Sequence, residues 1–547
     1  MAEKMLICSA WPYVYSTPHL GNIIPMLSAD VLARYYRQRG FEVEFVSGSD
    51  EHGARFEYAA KQKNISPKEI TNKHHKEIQD MIKKLNLSYT KYSRTSNTTH
   101  KKFVQEFYQK IYNNGFISFK EERLPFCESC GLFLPDRFVT GTCPKCDYDL
   151  ALGNQCEKCG SVLDPIDLVN PRCSFCNEKP IIKESTNGYF ELPKLESELK
   201  KYVAGRDNWQ DPVKNFTLSW LNEGLKSRPI TRDISWGIPA PFPETKGKTI
   251  YVWGEAVLGY MSVVLQRGDK NFKDYWQDEK TLSIFCLGKD NIPFHTIIFP
   301  ALIMATKEKY NLPWQIFSND YINWEGKKFS KTHKIGIWIN EMDILNADLW
   351  RYYIFRIFPD KGDTNFKWSD MEDKINKELV ANLGNFVSRT LGLINKLEKG
   401  KVPKVKEYDI YDKEVIKFIK ELKKESWDLI GDLKLKEYLI KIMGLCTKGN
   451  EYLQLKKPWD GEDKNSLNVC ANLCRALAIF LYPFIPQSCE RLWKDLGLND
   501  KLEDKRLDDV EKFEVEKVKK GKHLFEKINA KEIQENLGKI RKEHKNV

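Results

Sequence analysis

Over roughly the first 120 residues, short continuous apolar runs alternate with stretches of helical period. Met5, Leu6, Ile7 and Cys8 form a run that predicts a buried strand, and Ile23, Ile24, Leu27, Val31, Leu32 and Tyr35 predict a helix over 23–38. A second parallel strand is expected at 42–46, with helices over 70–85 and 102–114. After a cysteine-rich stretch the pattern resumes from Arg232, with a strand-like 249–253 and a buried strand at 283–287. A helix from about 292 carrying His295 and a strand at 314–318 follow. Beyond about 360 the strand signals fade, and helical period governs 376–398, 412–428, 434–450, 467–481 and a shorter stretch near 488–498. Strands alternating with helices imply a parallel sheet with crossover helices. The expected fold class is therefore α/β: a split Rossmann-like parallel sheet with an inserted module, followed by an α-helical bundle.

At 547 residues the chain should hold several domains, and 41% hydrophobic with 30% charged residues suits a soluble protein. No apolar run reaches transmembrane length, so no membrane is expected. The start, Met-Ala-Glu-Lys, leads straight into a strand and shows no signal or transit peptide, so a cytoplasmic enzyme is expected. A net charge of +11 suits a polyanionic partner, but lysine is spread along the chain and does not locate one. The tail from Lys512 carries eleven Lys/Arg against six Asp/Glu. Its apolar residues Phe513, Val515, Val518, Leu524, Phe525 and Ile528 predict partial docking on the body, and 531–547 reads as an exposed helix.

Eight of the 14 cysteines form four Cys-x-x-Cys pairs: Cys127/Cys130, Cys143/Cys146, Cys156/Cys159 and Cys173/Cys176. Each pair is a knuckle offering two thiolates, and two knuckles complete a tetrahedral zinc site with no open position. One or two structural Zn2+ ions are expected; spacing alone allows a sequential or a nested pairing. The other six (Cys8, Cys286, Cys446, Cys470, Cys474, Cys489) lie in apolar segments and read as buried free thiols of a reducing compartment.

His19, Leu20, Gly21 and Asn22 stand where the first strand hands over to a helix N-terminus. Free backbone N–H groups and the helix dipole favour phosphate there. The polar cluster 47–53, containing Asp50, follows the second strand on the same ligand side of such a sheet. Residues 323–332, Gly- and Lys-rich, read as a mobile basic loop.

Together these stretches resemble a known family. Pro18-His19-Leu20-Gly21-Asn22 resembles the H-I-G-H motif of class I aminoacyl-tRNA synthetases, and Lys328-Phe329-Ser330-Lys331-Thr332 their K-M-S-K-S loop. Ser49–Gly53, Ile230–Asp233 with Trp236–Pro239, Tyr251–Trp253 through Tyr260, and Gly288–Asp290 with Phe294-His295 are similar to the methionyl branch, as are Asn385–Arg389 and Lys457–Trp459 in the helical part. The resemblance spans residues 5 to about 528. It implies methionine activation by ATP and transfer to tRNA(Met), initiator tRNA included. It implies catalysis by His19, Asn22, Lys328 and Lys331, and ATP binding by these with Gly21, Gly288, Asp290 and Ser330, Mg2+ accompanying the nucleotide. Ala10, Trp11, Tyr13, Asp50, Trp253, Ala256, Tyr260, Phe294 and His295 would hold methionine, with Asp50 on its ammonium. Asn385, Arg389 and Trp459 would read the anticodon. The nested zinc pairing is also implied: Cys143, Cys146, Cys156 and Cys159 inside, Cys127, Cys130, Cys173 and Cys176 outside.

The resemblance divides the chain into a first Rossmann half (1–119), a zinc-knuckle insertion (120–230), a second half (231–322), a stem-contact region with the Lys-Phe-Ser-Lys-Thr loop (323–365), an anticodon-binding bundle (366–511) and a basic tail (512–547). No appended dimerisation domain follows the bundle, which implies a monomer. Trp11 stands where the family has a smaller apolar residue, and Glu255 and Val257 where Asp and Pro are usual. Leucyl-type enzymes carry a far larger insertion, while a cysteinyl enzyme uses an active-site zinc. A non-catalytic tRNA-binding paralogue would break the phosphate motif, and a zinc-ribbon binder would not explain the split sheet.

Overall fold

The computed structural model describes residues 3–134, 138–153, 156, 158–161, 163–330, 335–405, 407–460 and 463–543. Its centre is a five-stranded parallel sheet in the order β5-β4-β1-β2-β3. The strands are β1 (Lys4–Ser9), β2 (Glu42–Ser49), β3 (Lys91–Arg94), β4 (Leu282–Gly288) and β5 (Gln315–Asn319). β1 pairs with β4 through Ile7 and Ile284, so the strands before and after the insertion close one sheet. Both faces are covered, which is why β1 reads as an unbroken apolar run. Met5 and Ile7 point into one core with α1 (Ile24–Gln38), and Leu6 and Cys8 into the other.

The first of these cores continues without a break into the helical bundle. Tyr35 bonds Ser426 at 3.0 Å, and the Gln38 amide donates to the Ile479 carbonyl at 2.8 Å, both from α1. Fully buried Arg351 donates to the carbonyls of Leu85, Pro483 and Phe484 and to Asp30, so one guanidinium ties sheet, connector and bundle together. Burial would raise the Asp30 carboxyl, but Arg34, Arg351 and Ser88 outweigh it and hold the group down at about 2.

The insertion is a long antiparallel ribbon, Ile117–Cys127 against Ile181–Phe190, with the cysteine module at its far end. That module has its own small core. The insertion is not mostly knuckles, as the sequence suggested: helices Glu196–Ala204 and Asp211–Asn222 return to pack on the second sheet core.

Other expectations need correction. The strand at 249–253 ends after Thr249–Ile250, and Val252–Ala256 is a short helix. The helix carrying His295 begins as a π-turn, Phe294–Ile298. Residues 323–330 form a hairpin arm rather than an irregular loop: Trp324 and Lys327 pair across Glu325 and Gly326, both at positive φ (48° and 80°), the pattern of a type I′ turn. The last helix, Ala530–Glu543, is docked rather than exposed, with Ala530, Ile533 and Leu537 buried. Val515, Val518, Leu524 and Phe525 are buried too, in line with the docking expected of the tail. All six scattered cysteines are buried and unbridged. Among the described residues no helix is long and apolar enough to cross a membrane.

Candidate active site

The sheet's connections leave in opposite directions from β1 and β4, so the crevice at their C-terminal ends is the switch point where such sheets bind ligands. His19 caps the turn Leu20–Ile23 that leads into α1. Its Nδ1 accepts from the Gly21 N–H at 3.1 Å, and the Asn22 side-chain oxygen accepts from the His19 N–H at 3.0 Å. This reciprocal cap uses the Asn22 side-chain oxygen and leaves its amide nitrogen as a donor end. A Cβ on Gly21 would sit 3.1 Å from the imidazole, a tight contact that would press the ring by a few tenths of an ångström. Phe329 stacks on that ring, centroids 4.4 Å apart and 7° from parallel. Lys328 is exposed beside it, and Ser330 pairs with Ile335. Lys331 and Thr332 lie outside the described residues.

Asp290 is exposed on the 3-10 turn Lys289–Asn291 that closes β4 at Gly288. Lys289 does not face the crevice freely: it bridges Asp320 and Asp363 at 2.8 Å each and lies over the Tyr321 ring.

Residues 10–14 and 50–53 are zipped together. Ala10 donates to the Cys286 carbonyl, Asp50 N–H to the Pro12 carbonyl and Val14 N–H to the Asp50 carbonyl. The Asp50 side chain is 6% exposed, and its Oδ1 has no partner among the described residues. Burial first, then Glu255 and Glu51, push its carboxyl well above the usual range. Tyr13 is partly buried alongside, its hydroxyl near Gly53.

Trp11 is explained by two glycines. A Cβ on Gly48 would come within 2.3 Å of the indole, and one on Gly259 within 2.6 Å, so the ring occupies a slot they leave open. It stacks on His100 and meets Tyr260 edge-on. Tyr260 bonds His295 Nε2 at 2.9 Å, while His295 Nδ1 faces the Asn291 carbonyl at 2.9 Å. A carbonyl can only accept, so Nδ1 carries the proton and Tyr260 donates to Nε2. Burial depresses His295 to about 4, which keeps this tautomer neutral at physiological pH. Trp253 is 39% exposed and packs edge-on against Phe294, so it is not a core residue; Ala256 ends the same short helix, half-buried.

Beneath Asp50 lies a polar layer the sequence reading did not identify. His52 Nδ1 and Glu255 are 2.6 Å apart, both buried. His52 Nε2, Glu255 Oε2, His100 Nε2 and Trp11 Nε1 are likewise buried without a protein partner among the described residues. Glu255 differs from the family's Asp by one methylene, which was the available signal. The Ser49–Gly53 segment is also fixed from outside: Trp236 Nε1 donates to the Glu51 carbonyl and Gly53 N–H to the Trp236 carbonyl, while Glu57 accepts from the backbone N–H groups of Ser235 and Trp236, and Tyr58 packs at a tilt against Phe175 of the outer knuckle.

The cysteines fall into two groups, Cys127/Cys130/Cys173/Cys176 and Cys143/Cys146/Cys156/Cys159, which is the nested order. Nearest sulfurs are 3.4–3.9 Å apart, too far for disulfides and close enough for each group to hold a metal ion. In the bundle, Asn385 and Arg389 share one face of the helix Asn385–Glu398, and the Arg389 guanidinium lies 5.4 Å from the half-exposed Trp459 ring.

The chain matches the family model described as tRNA synthetases class I (M) over residues 5–391 and the anticodon-binding domain of tRNA ligase over 412–546. It is 41% identical to the methionine–tRNA ligase of Korarchaeum cryptofilum, covering 98% of each chain. It is 44% identical to that of Ignicoccus hospitalis over 90% of each. A solved structure of Mycobacterium tuberculosis methionyl-tRNA synthetase with methionyl-adenylate superposes with a TM-score of 0.76 at 21% identity, covering 91% of this chain and 94% of that one.

Proposed function

The chain belongs to the methionine–tRNA ligase family of class I tRNA synthetases, and from that premise we propose how its residues divide the work. The enzyme activates L-methionine with ATP to methionyl-adenylate and pyrophosphate, then transfers the methionyl group to tRNA. Asp50 receives the α-ammonium, and this observation carries the site assignment: the carboxylate is buried, held only by the His52 backbone N–H with its Oδ1 unpartnered among the described residues, which is costly unless a ligand cation completes it. The methionine side chain then runs toward Trp11, Tyr260 and His295, with Phe294, Trp253 and Ala256 along the opening. Its carboxylate, already ionised and needing no general base, attacks the α-phosphorus as the bond to pyrophosphate breaks.

His19 and Asn22 donate to the phosphate oxygens where charge develops, and Gly21 lets them approach. Lys328, Ser330 and Lys331 hold the departing pyrophosphate. Gly288 and Asp290 hold the ribose. Such fixed donors aimed at developing charge supply most of the acceleration in this kind of transfer. Mg2+ bound to the nucleotide would neutralise part of its charge. The acceptor is the 3′-terminal adenosine of tRNA(Met), including the initiator, with Asn385, Arg389 and Trp459 on the anticodon. The protein acts as a cytoplasmic monomer in this reading.

Each cysteine group holds a structural Zn2+. A tetrahedron with about 2.3 Å Zn–S bonds has sulfurs about 3.8 Å apart, close to the separations described above. The module's core is small and separate from the others, so chelation is expected to speed amide exchange across 127–176 while the parallel sheet stays protected. Equal protection with and without chelator would refute a structural metal.

Amino-acid-dependent ATP–pyrophosphate exchange tests the assignment. Exchange is expected with methionine and not with leucine or cysteine; no exchange with any amino acid would sink it. Trp459→Ala should leave exchange unchanged and lower tRNA charging roughly five- to a hundredfold, the worth of one stacked base. An equal fall in both would make Trp459 structural.

A further inference from the structure

The docked C-terminal helix ends on the catalytic loop, and we propose that Arg541 is a positioning residue that fixes Gly336 and, through Phe329, the imidazole of His19. Arg541 engages through two guanidinium nitrogens: Nε donates to Glu341 Oε1 at 2.7 Å, and Nη2 donates to Glu341 Oε2 at 2.8 Å and to the Gly336 carbonyl at 2.6 Å. Its face lies 5.3 Å from the Trp338 ring. Glu341, largely buried, also accepts the Trp338 N–H at 3.0 Å. The whole 336–341 segment is thus gripped from the tail side.

The opposite side of that segment carries the chemistry. Gly336 has φ +130°, and a Cβ there would lie 2.3 Å from the Phe329 ring, so the ring rests directly on the glycine backbone. The same ring is stacked on His19. Leu20 N–H donates to the Ile337 carbonyl, and Ile339 N–H to the Pro18 carbonyl, which joins the same segment to the residues flanking His19. Arg541, Gly336, Phe329 and His19 therefore form one chain of contacts.

Simple docking does not require this. Ala530, Ile533 and Leu537 already bury the helix, and Arg541 lies beyond them in its last turn. A surface lysine would satisfy Glu341 as a point charge, but only a planar fork reaches the carboxylate and a backbone carbonyl together.

The proposal rests on the reading of 328–330 as the nucleotide-binding arm, so the experiment separates the two. Full-length Arg541→Ala, Arg541→Lys and Lys328→Ala proteins are compared in methionine-dependent exchange, with melting temperature and amide exchange measured in parallel. Arg541→Ala should lower kcat about ten- to a hundredfold, the cost of a misplacement of order 1 Å, with KM for methionine and melting temperature unchanged. Amides of Leu20, Ile335 and Ile339 should exchange faster, and Arg541→Lys should recover part of the rate. Full activity in Arg541→Ala beside a crippled Lys328→Ala would overturn the positioning role alone. Full activity in Lys328→Ala would overturn the arm's assignment and the proposal with it. A rate loss in Arg541→Ala that follows only a fall in melting temperature, with those three amides unaffected, would make Arg541 structural.

Discussion

Replacing Asp50 with asparagine should stabilise the protein and abolish its useful activity at once. The side chain is buried, its Oδ1 has no partner among the described residues, and burial, Glu255 and Glu51 raise its carboxyl against the opposing backbone hydrogen bond from His52. An acid whose folded pKa is raised destabilises the fold once pH climbs through the unfolded value, and the penalty is relieved at low pH by protonation. The asparagine side chain carries no charge to desolvate, so the melting temperature should rise by a few degrees, corresponding to about 1–3 kcal/mol. The gap between the two proteins should narrow as pH falls toward the ordinary carboxylate range, where the penalty on the wild type is relieved. Losing a buried charge partner costs about 2–5 kcal/mol of binding, so KM for methionine should rise between roughly thirty- and several-thousandfold. Thermal melts across pH and exchange kinetics check both halves. A variant that is less stable and still binds methionine normally would show that Asp50 is a structural carboxylate.

His19→Ala should lower the activation rate about 10²- to 10³-fold, the usual cost of deleting one donor aimed at a developing anion. It should cost about 1 kcal/mol of stability as well, since Nδ1 caps the turn into α1. His19→Asn separates the two losses. Its side-chain oxygen can accept the Gly21 N–H as Nδ1 does, so stability should return, while most of the rate should not. Recovery of both by asparagine would mean the imidazole acts only as a cap.

The parallel strands were readable because each is a short apolar run covered on both faces, and β1 and β4 stand out for that reason. Cysteine spacing announced metal ligands, but spacing could not choose between pairings, which depend on a ribbon folding back over ten residue pairs. Thr249 to Trp253 misled because β-branched and aromatic residues imitate a strand, whereas tertiary packing turns the chain into a helix at Val252. The hairpin arm misled in the other direction. Its two large apolar residues in a basic stretch, Trp324 and Phe329, stack on Phe366 and His19, which no local window contains. His52 with Glu255, 203 positions apart, and Glu341 with Arg541, 200 apart, were beyond any local pattern for the same reason. Trp11 stood out as an anomaly because the glycines that make room for it, Gly48 and Gly259, lie in separate segments.

Helix α1 has a consequence for how distant events are felt. Its N-terminal turn presents His19 and Asn22, and its C-terminal half is bonded to the bundle at Ser426 and Ile479. Fifteen residues make a rod about 22 Å long at 1.5 Å per residue, and one apolar core packs it against the bundle. One helix thus carries at its front the turn with His19 and Asn22 and at its back the bonds to the bundle, so a substitution that shifts α1 at Ser426 or Ile479 is expected to be felt at that turn.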